Sequence, residues 1–154
     1  MSKIQETTVS EALALLAQIP EFDPVDPSGG TWEESARRRI TGRHVALEAI
    51  GISGKPVGAL IAYERYKPST LYCWLAGVLP SARRQGALRD LMNVMKSWAA
   101  DRGFGTIEIG TKNRFRAMFT YLIKDGYMLL YAEPGETENL ADYSLHLMKN
   151  LKES

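Results

Sequence analysis

The stretch Val78–Leu88, read VLPSARRQGAL, joins an apolar run to a long segment of helical period, and the fold turns on how it is read. Leu88, Leu91, Met92, Met95 and Trp98 recur at spacings of three and four. That pattern predicts a helix over residues 85–102 with one buried stripe, stopped by Gly103. The residues before it, Leu71–Val78, are apolar on both faces, as suits a central strand covered by helices on either side. A strand that turns directly into a helix leaves unpaired backbone N–H groups at the helix start, and the helix dipole adds positive charge there. A phosphate fits that geometry. Gly86 lets the main chain approach such a guest, Arg83 and Arg84 offer charge-assisted contacts, and Gln85 offers a side-chain amide. The same residues also read as a solvent-facing basic connection that merely starts a core helix, and the turn alone leaves both readings open.

Upstream, the period is two. Val45, Leu47 and Ala49 alternate with their neighbours, Ser53-Gly54-Lys55 turns the chain, and Val57–Tyr63 returns, which predicts an antiparallel hairpin beside the Leu71–Val78 strand. Before the hairpin, Thr8 and Glu11 have capping-box spacing ahead of a helix over 9–19. Lys3–Thr7 reads as a short first strand, and Thr31 as the cap of a second helix through Ile40. Arg37, Arg38 and Arg39 on that helix read as a solvated face. Between the two helices, PEFDPVDPSGG (Pro20–Gly30) is a loop.

Downstream, Thr106–Gly110 is a short strand, and Phe115, Met118, Phe119 and Leu122 mark an amphipathic helix ending before Gly126. Tyr127–Tyr131 and Tyr143–Met148 supply two late strands around the turn-rich EPGETENLAD. The fold class is therefore α/β of the mixed α+β kind: a central, mostly antiparallel sheet of six to seven strands with helices on both faces.

A chain of 154 residues with 45% hydrophobic content predicts one domain over residues 1–154. With 19 basic and 18 acidic residues the formal charge is +1, so no global field draws the chain to nucleic acid or to an anionic membrane. Cys73 stands alone between Tyr72 and Trp74 and reads as a small buried core residue. Nothing at the start resembles a signal peptide and no apolar run reaches the roughly 20 residues of a membrane span, so a cytoplasmic protein is expected. His44 and His146 read as structural, and no metal-ligand spacing involves them.

The order of these elements, together with TKNRFRAMFTYLIKDGY about 30 residues beyond the turn, resembles the GNAT acyltransferase superfamily over residues 43–131. Its phosphate-loop signature has Arg or Gln, Gly three positions on, and Gly or Ala two beyond that. Arg83 and Gly86 match, and Leu88 departs. Val78-Leu79-Pro80 is similar to the family's exit from its fourth strand. The resemblance implies acetyl-coenzyme A bound where the fourth and fifth strands splay, with main-chain amides around Arg83, Arg84, Gln85, Gly86, Ala87 and Leu88 gripping the diphosphate. Backbone N–H groups near Gly77 and Val78 are then implied to polarise the thioester carbonyl, and Asn113 to contact the cofactor.

The resemblance further implies direct attack by a primary amine of a small molecule, peptide or protein, without an acyl-enzyme. Counting forward from Ala117 makes Tyr121 the acid for the departing thiolate, whereas counting back from Gly126-Tyr127 aims Leu122 instead, about 100° round the helix. Glu64 and Glu108 are the nearest carboxylates for a general base. A homodimer is compatible with the resemblance. The alternative is a non-catalytic GNAT-like module that binds coenzyme A or a protein partner, such as a component of a viral assembly.

Overall fold

The computed structural model describes residues 3–22, 29–66 and 69–151. Four strands meander antiparallel to one another: β1 (Lys3–Glu6), β2 (His44–Ile50), β3 (Pro56–Tyr66) and β4 (Thr70–Val78). Beyond them β5 (Thr106–Lys112) runs parallel to β4, and β7 (Ser144–Asn150) antiparallel to β5. The last strand in space, β6 (Met128–Glu133), pairs only with β7, so the seven-stranded order is β1-β2-β3-β4-β5-β7-β6. The expected mixed, mostly antiparallel sheet is present, with β4 at its centre as its two apolar faces require.

One face carries α1 (Val9–Leu16) and α2 (Trp32–Arg39), and the other carries α3 (Ala87–Asp101) and α4 (Arg116–Lys124). Leu47, Leu60, Leu71, Cys73, Ile107 and Ile109 pack with Leu91, Met92 and Met95 of α3 and Leu122 of α4. Ala46, Ala59, Ile61 and Leu75 pack with Leu13, Leu16 and Ile19 on the other side. Helix starts follow their side chains: Thr8 Oγ1 accepts from Glu11 N at 3.1 Å, and Thr31 forms a full capping box with Glu34.

Three expectations shift. The helix expected at 85 begins at Ala87, because Pro80–Ala82 first make a 3₁₀ turn and Arg84 and Gly86 take left-handed backbone angles of 65° and 86°. α1 ends at Leu16, and Ile19 reaches the core on a tighter turn. Arg39 is not merely solvated: it donates to Ser35 Oγ at 2.9 Å and Tyr63 Oη at 3.3 Å, and its guanidinium sits over Trp74. Of the loop Pro20–Gly30, residues 23–28 lie outside the described residues. No helix among the described residues is long and apolar enough to cross a membrane.

Candidate active site

The central feature is a splay between two parallel strands. β4 pairs with β5 from Thr70–Thr106 to Cys73–Ile109 and no further. From there β4 continues alone to Val78, while β5 continues as Gly110–Lys112 paired to β7. A bulge marks the parting: Ile61 faces Leu75 and Ala62 faces Cys73, which leaves Trp74 as an extra residue in β4. A bulge of this kind bends the strand and raises its twist, turning β4 away from its neighbour.

Past the bulge the main chain alternates. Leu79 N–H donates to Val57 C=O at 2.8 Å, so Leu79 and Gly77 turn their polar groups to β3 while Ala76 and Val78 turn theirs to the splay. The expectation for Gly77 therefore needs correction: its N–H is not on the splay side. Its lack of a side chain serves packing instead, because a Cβ there would lie 2.9 Å from both Ile19 Cδ1 and Phe22 Cε2. Val78 turns its N–H away from β3, and its carbonyl accepts from Arg83 Nε at 3.1 Å.

The splay opens beside the start of α3. Gly86 is the N-cap and offers no side chain, so the first N–H groups of a 15-residue helix, from Ala87 to Arg89, lack a side-chain cap there. Ala87 is buried, and Leu88 is half-buried against the main core. Arg84 and Gln85 are exposed. Arg83 is turned elsewhere: besides Val78 it holds Glu21 Oε1 at 2.7 Å, and that contact is the chief cause of Glu21's lowered pKa. The cation nearest Gly86 is Arg89, whose Nη2 lies 2.5 Å from where a Gly86 Cβ would be. Sequence reading passed over Arg89 because it counted only residues ahead of the helix, although its position three after Gly86 places it in the first turn.

Tyr121, rather than Leu122, is the polar candidate on α4. Leu122 is wholly buried in the core, whereas Tyr121 is half-buried and its hydroxyl has no hydrogen-bond partner among the described residues. Burial first, then the Asp125 carboxylate, push its phenol up to about 12, with Arg89 and Asp90 of α3 also in electrostatic range. Beside it, burial alone pushes the Cys73 thiol up to about 12, so Cys73 stays a neutral core residue.

The two carboxylates part company. Glu64 pairs with Arg43 at 2.8 Å, and Arg43 also donates to the Arg102 carbonyl and stacks on Phe104. This places Glu64 by the end of α3, away from the splay. Glu108 is 4% exposed on the α1–α2 side of the sheet, next to Tyr72 in the β4–β5 register, and its Oε2 has no hydrogen-bond partner among the described residues. Asn113 is also turned elsewhere: its amide donates to Leu140 C=O at 3.0 Å and ties the end of β5 to the loop before β7. His44 meets the Gly42 carbonyl at 3.1 Å. Among the described residues no three His, Cys, Asp or Glu side chains group to hold a metal ion.

A separate shallow groove of about 430 Å³ runs between α1 and α2, lined by Leu13, Trp32, Glu33 and Arg37, and does not reach the splay.

The comparisons with known proteins agree with this geometry. Among curated sequences none matches the chain. Among solved structures, the ribosomal-protein-S18-alanine N-acetyltransferase of Escherichia coli superposes with a TM-score of 0.78 at 14% identity, covering 100% of this chain and 96% of that one. An acetyltransferase of Bacillus subtilis in complex with coenzyme A gives 0.74 at 19% identity, with 99% and 100% covered. An aminoglycoside 6'-N-acetyltransferase complexed with coenzyme A gives 0.72 at 16% identity, with 99% and 98% covered. At such identities the likeness speaks for the fold. Residues 13–127, most of the chain and all of the splay, match the profile of the acetyltransferase family known as GNAT, and to that family the chain belongs.

Proposed function

We propose that the chain is an N-acetyltransferase that moves an acetyl group from acetyl-coenzyme A to a primary amine of a small molecule, peptide or protein. The observation that carries this reading is the splay of β4 from β5 beside the uncapped start of α3. Two of the similar solved structures are themselves coenzyme A complexes.

The residues present fit that cosubstrate. Helix N–H groups of Ala87, Leu88 and Arg89, with the Arg89 guanidinium close by, suit a diphosphate. Ala76 and the Val78 N–H face the splay, where an extended arm with two amides can pair as an added strand would. When bound, the cosubstrate supplies an acyl group activated as a thioester. The chain's own work is then positioning and proton handling. Val78 N–H, fixed by the sheet, polarises a carbonyl presented at the splay. Tyr121 keeps its proton at neutral pH and holds it ready for a departing thiolate on the α3–α4 side. Glu108, on the opposite side, offers a buried carboxylate oxygen to an incoming ammonium.

Isothermal titration with acetyl-coenzyme A, followed by thiol release across a panel of primary amines, tests the reading. Binding with amine-dependent thiol release is expected, and the absence of binding refutes it. Leu88 in place of a small residue and Asn113 turned away from the splay favour the second reading, a non-catalytic module. Binding without thiol release on any amine would establish that one instead.

A further inference from the structure

Two buried polar atoms on the α1–α2 side of the sheet, Glu108 Oε2 and His146 Nδ1, have no hydrogen-bond partner among the described residues. Buried polar atoms are rarely left so, and each such atom asks for a ligand or a role. His146 stands opposite Gly110 in the β5–β7 register, and Gly110 is the first residue of β5 beyond its last pair with β4. A Cβ on Gly110 would lie 3.6 Å from Tyr72 Oη and 3.9 Å from His146 Nδ1. The missing side chain therefore leaves a gap rimmed by a phenol and an imidazole at the point where the splay opens. Glu108 lies two residues earlier on the same strand and so on the same face.

The imidazole is held in one orientation. His146 Nε2 lies 2.9 Å from Glu133 Oε1, and the ring stacks on Tyr131 at 4.3 Å between centroids and 14° between planes. With a carboxylate as partner, Nε2 carries the hydrogen and Nδ1 presents its lone pair toward Gly110. The Glu133 side chain is 56% exposed, so the far end of the pair reaches solvent.

We propose that His146, oriented by Glu133, is the general base that takes a proton from the acceptor amine, with Glu108 binding the ammonium beside it; this rests on the acyl-transfer reading above. The ammonium gives one proton to Nδ1, and the freed nitrogen lone pair forms the N–C bond to the acyl carbon. The C–S bond breaks, its electron pair leaves on sulfur, and the thiolate takes the second proton the nitrogen loses, directly or through Tyr121. The imidazolium, paired with Glu133, returns its proton to water. Net, an ammonium and a thioester become an amide, a thiol and one released proton.

The groups facing His146 fit this role. Tyr72 on β4 is held neutral, because burial raises its phenol against the opposing pull of Arg65. Glu108 on β5 and Glu133 on β6 are the acidic side chains around it, Tyr131 on β6 stacks on its ring, and its chain neighbours Leu145 and Leu147 are apolar. A merely structural His146 would instead staple the β6–β7 hairpin, and its loss would lower the melting temperature without changing the pH profile.

The test compares wild type with His146→Gln, Glu133→Gln and His44→Gln, using acetyl-coenzyme A and a panel of primary amines. Because the chain has two histidines, His44→Gln assigns the imidazole NMR signals outright. His146→Gln is expected to lower kcat/KM about 100-fold and to remove the acid limb of its pH profile, leaving cosubstrate affinity unchanged. Glu133→Gln is expected to cost about tenfold, with its acid limb coinciding with the His146 imidazole titration read by NMR in the same variant. His44→Gln should match wild type. Turnover within threefold of wild type in His146→Gln, with its acid limb intact, overturns the proposal. If His146→Gln does not fold, an acid limb in Glu133→Gln that fails to follow the imidazole titration overturns it equally. Wild type that binds cosubstrate yet acetylates no amine defeats the acyl-transfer reading and this inference with it, whereas active variants defeat the inference alone.

Discussion

Gly86→Ala separates a glycine kept for a ligand from one kept only for its backbone. Gly86 has φ 86°, and Gly103, at the other end of α3, has φ 81°. Either alanine forces an L side chain into left-handed backbone at about 1–2 kcal/mol. For a chain of this length that is a fall of roughly 2–8 °C in melting temperature. The surroundings differ. A Cβ at Gly103 meets nothing within 4 Å, while one at Gly86 meets only the far end of Arg89, which can swing away. The two variants should therefore lose similar stability by differential scanning calorimetry. Only Gly86→Ala puts a methyl group at the helix start and displaces Arg89 from it. Losing one hydrogen bond to a charged group costs about 1.5–3 kcal/mol, or roughly 10- to 150-fold in Kd for coenzyme A by isothermal titration. Equal affinities in Gly86→Ala and Gly103→Ala would refute the placement of the diphosphate.

Arg83→Ala should weaken coenzyme A binding less than about threefold, because its guanidinium is spent on Val78 and Glu21, whereas Arg89→Ala should weaken it about tenfold; equilibrium titration of both variants decides. Tyr121→Phe should lower kcat about 10- to 100-fold with KM for acetyl-coenzyme A unchanged, and should not lower the melting temperature, since it removes a buried hydroxyl that has no partner among the described residues. Tyr121 and Tyr127 both have folded-state pKa values raised above the ordinary 10, so the stability they contribute is complete below pH 10. It is lost as pH climbs beyond that, and either Phe variant should move the alkaline fall in melting temperature to higher pH. Gly77→Ala should cost about 1–3 kcal/mol through overpacking against Ile19 and Phe22, read by chemical denaturation.

How much of this was legible in the sequence depended on the range of the interaction. The helix stripe Leu91, Met92 and Met95, the two-faced apolar β4 and the Thr31 cap are local patterns, and each produced the element it predicts. The choice between Tyr121 and Leu122 was not local. It needed the packing of α4 onto the main core, which buries Leu122 wholly and leaves Tyr121 half-buried. Arg83 and Asn113 read as ligand contacts on spacing alone, yet each is claimed by a partner far away in sequence, Glu21 and Leu140. Glu64 likewise goes to Arg43, 21 residues off. His146 could not be singled out at all, because the register against Gly110 and the bond to Glu133 exist only once the sheet is assembled.

The central claim is that the start of α3 and the free edge of β4 form one binding surface. Amide NMR of the chain titrated with coenzyme A tests it residue by residue. The largest shifts and the greatest gain in exchange protection are expected at Ala76, Val78, Ala87, Leu88 and Arg89, with Gly77 and Leu79, which face β3, little changed. Shifts confined to the groove between α1 and α2, or none at the α3 amides, would contradict it.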